Sequence, residues 1–179
     1  TVSKLLINKK NELKKNLSSQ LENSLRSLKK DTIDNYFFHS GTNEEFMIDE
    51  IWDFLNKKRK DGQIKNLGLS LKHDLVKKNS LKQLDYFEKY RIDKISTVCN
   101  LYSKESLKKV IPLCKKKKIF IYGRMPLAKG LLTGKYKSSS NFDIFDPRSK
   151  DLKLTRKIIN FSKKIKNLSD KKSIMWSLK

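Results

Sequence analysis

The sequence predicts an α/β fold in which parallel strands alternate with helices. Three observations predict it. A short apolar run followed by a longer amphipathic one recurs roughly every 30 residues. Each apolar run is short enough for a strand buried on both faces, as parallel sheets require. No Gly-x-Gly-x-x-Gly follows the first run, so the dinucleotide fingerprint of open sheets is absent. Periodicity by itself leaves an open sheet and a closed barrel both standing, and the near-constant repeat favours the barrel.

The predicted strands are residues 2–7, 33–38, 64–69, 95–99 and 119–122. Between the first two, Leu13, Leu17, Leu21, Leu25 and Leu28 fall on one helical face. A second helix starts near Asn43, with Glu44 and Glu45 at its positive end, and turns Phe46, Ile48, Ile51, Trp52 and Leu55 inward. Gly62 caps it. A third helix is expected over residues 81–90 and a fourth over 104–117, with Leu107, Val110, Ile111 and Cys114 as its buried stripe. Pro112 inside that stripe predicts a kink or a late start. Residues 126–148, with Gly130, Gly134 and Pro147, read as a long functional loop. Helices resume over 152–168 and from about 171. No linker separates a second domain, so residues 1–179 are expected to form one.

Forty-two basic residues against 19 acidic ones give a formal net charge of +23. The lysines are spread over nearly every polar stretch, and runs such as 115–118 sit at helix ends, where cations suit the dipole. No concentrated patch or nucleic-acid motif accompanies them, so no specific nucleic-acid partner is expected. Cys99 and Cys114 lack metal-ligand spacing, which fits a reducing compartment. No apolar stretch nears the roughly 18 residues of a membrane helix, and the N-terminus lacks a signal-peptide pattern. A cytoplasmic protein without a membrane partner is expected.

In a barrel, reactive side chains sit at the C-terminal ends of strands. Those ends carry Lys4, His39, Ser70, Cys99 and Arg124. His39 follows an apolar strand, where an imidazole can donate to a carbonyl oxygen near neutral pH. Ser70 suits a ligand amide or a turn cap in equal measure. Cys99 has no base beside it in sequence and reads as an inert thiol rather than a nucleophile. After the fifth strand, Gly130 and Gly134 allow close backbone approach, and Arg124, Lys129 and Lys135 offer cations to phosphates. His73 lies in a polar loop and is expected at the surface.

These residues resemble a known family, the aldo/keto reductases. The resemblance is carried by Val2-Ser3-Lys4, by Leu21 to Leu28 leading to Asp31-Thr32-Ile33-Asp34, and by Tyr36-Phe37-Phe38-His39-Ser40. It continues through Gly62 to Ser70, Pro126 to Tyr136 and Trp176-Ser177-Leu178, in family order over nearly the whole chain. It implies a partial (β/α)8 barrel, lacking two strands before Thr1 and one after Lys179. It also implies NADP(H) as cofactor and a small-molecule aldehyde or ketone, reduced by hydride transfer. Of the family's Asp/Tyr/Lys/His tetrad, Lys4 matches the lysine and His39 the histidine, the other two falling before Thr1. Ser70 matches the residue that binds the nicotinamide carboxamide. Leu71 stands where asparagine is common, Cys99 where glutamine is typical, and Arg124 where an aromatic often stacks. Met125, Leu127 and Lys129 match the loop that crosses the pyrophosphate.

The resemblance further implies that the 179-residue chain is inactive on its own and poorly folded, because an open set of strands leaves edges and apolar surface exposed. A non-catalytic cofactor-binding relative is the alternative within the fold. A basic nucleic-acid-binding protein is the alternative from another class.

Overall fold

The structure, a computed structural model, describes residues 2–5, 13–39, 42–71 and 82–166. The sequence readings at Ser40 and His73, at the start of the third helix, and over residues 167–179 with Trp176-Ser177-Leu178 lie outside the described residues.

Five strands form one parallel α/β sheet in the order β1-β2-β3-β4-β5. They are β1 (Val2–Leu5), β2 (Ile33–His39), β3 (Ile64–Ser70), β4 (Lys94–Val98) and β5 (Phe120–Arg124). Pairing is parallel from β1 to β4. Chain order and spatial order coincide, as they do in a barrel, and among the described residues the sheet is partial and does not close. The helices are α1 (Leu13–Leu28), α2 (Asn43–Phe46), α3 (Asp49–Lys60), α4 (Leu107–Lys116) and α5 (Leu152–Lys166).

Local chemistry explains where these elements depart from the expected bounds. The second predicted helix is two. Thr42 and Glu45 make a capping box, Glu45 N–H donating to Thr42 Oγ1 at 3.2 Å and Thr42 N–H to Glu45 Oε2 at 2.7 Å. That short helix ends at Met47, and extended Ile48 starts α3. Gly62 caps α3 with φ +79°, as expected. The third predicted helix is a 3-10 stretch, Lys82–Tyr86, followed by turns. The fourth begins as a 3-10 segment, Leu101–Ser106, before α4 continues through Pro112. Ile111 is 46 % exposed, outside the stripe assigned to it. Its neighbours Val110 and Cys114 are buried as expected.

The chain divides into two compact units, Thr1–Thr97 with Lys109–Tyr122, and Val98–Lys108 with Gly123–Lys179. In the first, the helices cover one face of the sheet. Leu17 and Leu21 of α1, Ile51, Trp52 and Leu55 of α3, and Val110 and Cys114 of α4 bury Tyr36, Phe38, Leu67 and Leu69. Trp52 stacks on Tyr90 at 5.0 Å, meets Phe46 edge-on at 4.9 Å, and donates its indole N–H to Phe46 O at 2.6 Å. Such pairs add about 0.5–1.5 kcal/mol each beyond area burial. In the second unit, the loop expected to be irregular builds its own core. Ala128, Leu131 and Leu132 pack with Ile158 and Ile159 of α5, flanked by Tyr102, Tyr136, Phe142 and Phe161.

On the other face of the sheet, a Cβ added to Gly68 would lie 2.5 Å from the Phe37 ring. Glycine therefore lets that ring lie flat on β3. Gly68→Ala is expected to lower stability by about 1–3 kcal/mol through overpacking, and Phe37→Leu in the same protein to recover most of it. Urea unfolding midpoints of the single and double variants check this; additive losses would contradict it.

Candidate active site

In a parallel ladder, register partners share a face, and so do alternate residues along a strand. Lys4 is the partner of Phe37, Phe37 of Gly68, His39 of Ser70, and Ser70 of Ser96. The register thus places Lys4, His39 and Ser70 on the face that carries Phe37, opposite the helix-covered one. His39 is the last residue of β2 rather than the first beyond it, and Ser70 ends β3 level with it. Lys4 sits on β1, two positions short of the level of His39.

His39 is half-buried. Ser70 is fully buried, and its Oγ has no hydrogen-bond partner among the described residues. A buried hydroxyl left without a partner costs about 1–3 kcal/mol. Leu71 beside it is buried and donates its backbone N–H to Ser96 O at 2.8 Å.

The second unit carries the remaining predicted residues. Cys99 N–H donates to Arg124 O at 2.9 Å, and a Cβ on Gly123 would lie 3.1 Å from Cys99 Cβ. Burial pushes the Cys99 thiol above its ordinary range and lowers the Arg124 pKa. Asn100, fully buried, donates Nδ2–H to Met125 O at 3.1 Å and accepts Ser103 N–H at 2.9 Å. Met125 is exposed and Leu127 half-buried, while Lys129 is exposed and donates Nζ–H to Pro147 O at 3.4 Å.

The backbone of this segment is the more informative feature. Met125 has φ +55°, Ala128 +48°, Lys129 +59° and Gly130 +83°. Three of these carry a Cβ, and the left-handed region costs such residues of order 1 kcal/mol or more each. The bonds Ala128 N–H to Met125 O at 2.9 Å and Leu132 N–H to Leu127 O at 3.2 Å help hold it. Downstream, Arg148 sets its guanidinium over the rings of Tyr136 and Phe142, at 4.7 and 4.5 Å, and forks onto Asp146. That fork holds the Asp146 carboxyl down to about 2.

Sequence reasoning had no means to find Asn100 or the Arg148 cluster. The signals present were a polar residue directly after Cys99 and a charged triplet, Asp146-Pro147-Arg148, among aromatics.

A parallel sheet in sequential order, with polar residues at the C-terminal ends of its strands, defines a barrel-type α/β enzyme architecture. The family model described as Aldo/keto reductase family matches residues 4–178, and the chain belongs to that family. It is 31% identical over 140 residues to aldo-keto reductase YhdN of Bacillus subtilis, covering 76% of this chain and 39% of that protein. The glycerol dehydrogenase AKR11B4 from Gluconobacter oxydans superposes with a TM-score of 0.73 at 28% identity, over 90% of this chain and 49% of that one. An aldo-keto reductase from Klebsiella pneumoniae, solved in complex with NADPH, shares the fold at a TM-score of 0.52 and 21% identity, over 64% of this chain and 38% of that one. The chain thus spans half or less of the length of these relatives.

A raised thiol pKa keeps Cys99 protonated at neutral pH, and its thiolate forms only as pH climbs past the ordinary thiol range. Alkylation by iodoacetamide at pH 7 is expected to run several-fold slower at Cys99 than for free cysteine. Mass spectrometry of the labelled peptide reads the rate, and a rate equal to that of free cysteine would contradict the assignment.

Proposed function

We propose that the whole protein is an NADP(H)-dependent oxidoreductase that reduces an aldehyde or ketone to an alcohol. In this reading the chain contributes Lys4 and His39 to catalysis, Ser70, Cys99 and Arg124 to the nicotinamide end of the cofactor, and Met125, Leu127 and Lys129 to its pyrophosphate. The observation that carries the reading is Ser70: a fully buried hydroxyl with an unfilled Oγ among the described residues, level with His39 in the ladder. A carboxamide offers such a hydroxyl both a donor and an acceptor.

The bound cofactor supplies hydride to the carbonyl carbon. His39 donates a hydrogen bond to the carbonyl oxygen and orients it. Lys4 brings a cation near that oxygen, which stabilises the negative charge that develops there and lowers the pKa of the phenol that delivers the proton in this family. Leu71 and Cys99, in place of the usual asparagine and glutamine, offer the carboxamide no amide partner, and Ser70 is the retained one. The left-handed turn at residues 128–130 presents backbone to a phosphate at close range, with Lys129 as its cation.

In the whole protein, Lys4→Met is expected to lower kcat about 100-fold or more with little change in NADPH affinity. Ser70→Ala is expected to weaken NADPH binding several-fold with kcat at saturation nearly intact. Steady-state kinetics with a panel of aldehydes and ketones, together with NADPH fluorescence titration, separate the two effects. Absence of both NADPH binding and carbonyl reduction in the wild type would overturn the proposal.

A further inference from the structure

The loop proposed to cross the pyrophosphate stores backbone strain, and something must hold it. The turn's own hydrogen bonds are one part. Two further ties lead to a single downstream residue.

The first tie runs through Tyr136. This half-buried ring packs on the core that contains Ala128, Leu131 and Leu132. Its Cε2 lies 3.6 Å from where a Cβ on Gly130 would sit, directly under the left-handed turn. The opposite support of that ring is Arg148, 4.7 Å from its centroid. The second tie is Lys129 Nζ to the carbonyl of Pro147, the residue before Arg148.

Arg148 itself is fixed from several directions. Its Nε donates to both Asp146 oxygens at 2.9 and 3.1 Å, and its backbone N–H donates to Asp146 Oδ1 at 2.8 Å. Phe142 closes the other side at 4.5 Å, and Tyr136 and Phe142 touch each other at 5.3 Å. Thr155 of α5 donates Oγ1–H to Arg148 O at 2.8 Å, which anchors the residue to a helix. Arg148 and Asp146 side chains are each only 20% exposed, so solvent screens the pair less than an ordinary surface pair.

We propose that Arg148 is a positioning residue: clamped by Asp146 and held between Tyr136 and Phe142, it supports the left-handed turn at residues 128–130 in the shape that receives the cofactor's phosphates. A planar guanidinium is needed, because it must stack on rings and fork onto a carboxylate at once; an ammonium can do neither in that geometry. The proposal rests on the reading of residues 125–129 as a phosphate loop, but the support of the turn exists with or without cofactor.

The test uses the whole protein, with Arg148→Met, Arg148→Lys and Asp146→Asn. Hydrogen exchange without cofactor follows the turn amides Ala128, Leu131, Leu132 and Thr133, and NADPH fluorescence titration follows affinity. Arg148→Met is expected to speed exchange of those amides and to weaken NADPH binding roughly tenfold, the factor that 1.4 kcal/mol of lost preorganisation amounts to. At saturating cofactor kcat should stay near wild type, a split that general destabilisation would not produce. Arg148→Lys should recover little of either loss. Unchanged exchange in Arg148→Met, or Arg148→Lys behaving as wild type, would overturn the proposal. If Arg148→Met does not fold, Asp146→Asn decides: faster exchange at the same amides supports the clamp and unchanged exchange refutes it. A wild type that fails to bind NADPH would remove the phosphate-loop reading, while the exchange comparison would still decide the support of the turn.

Discussion

Parallel pairing between β2 and β3 sets the terms for everything else in the first unit. Side chains alternate with period two, so a slip of one residue would move every inward group to the other face. The observed register puts Tyr36, Phe38, Leu67 and Leu69 under the helices and Phe37, His39, Gly68 and Ser70 on the opposite face. Burial of the aromatic and aliphatic set under α1, α3 and α4 is the large favourable term. The close fit of the Phe37 ring on Gly68 belongs to this register as well. The level positions of His39 and Ser70 are a by-product of those apolar contacts, and the candidate chemistry follows from the packing.

The second unit solves a different problem. Its candidate loop holds no regular sheet or long helix, yet it is tied by short-range bonds and by a small core of its own. Strained left-handed residues persist only where the surroundings over-determine them. Here Asn100 fixes the carbonyl of Met125 from one end, and the aromatic and ionic contacts of Arg148 brace the turn from the other. Rigid backbone at a phosphate site lowers the ordering cost of binding.

Much of the architecture was legible in the sequence because parallel strands buried on both faces leave continuous apolar runs. Residues 33–38 and 64–69 were nearly complete as read, and the leucines of α1 and the glycine after α3 spoke for themselves. Helix interruptions were harder. The break at Met47 depends on a capping box at Thr42 and Glu45 whose pattern was present but competed with an unbroken apolar stripe. Pro112 proved compatible with α4, and Ile111 pointed outward because the helix starts at Leu107 and rotates its face accordingly. At the site, strand ends identified Lys4, His39 and Ser70, since their logic is local. Arg148 was not legible, because its meaning lies in contacts with Tyr136, Phe142 and Asp146 that no periodicity encodes.

The central claim is that one face of the parallel ladder gathers Lys4, His39 and Ser70 around a nicotinamide. A crystal structure of the whole protein grown with NADP(H) tests it most directly. The account predicts the carboxamide within hydrogen-bond distance of Ser70 Oγ, with the Lys4 and His39 side chains converging on the same side of the sheet. A nicotinamide bound away from Ser70, or Lys4 and His39 opening to opposite faces, would contradict it.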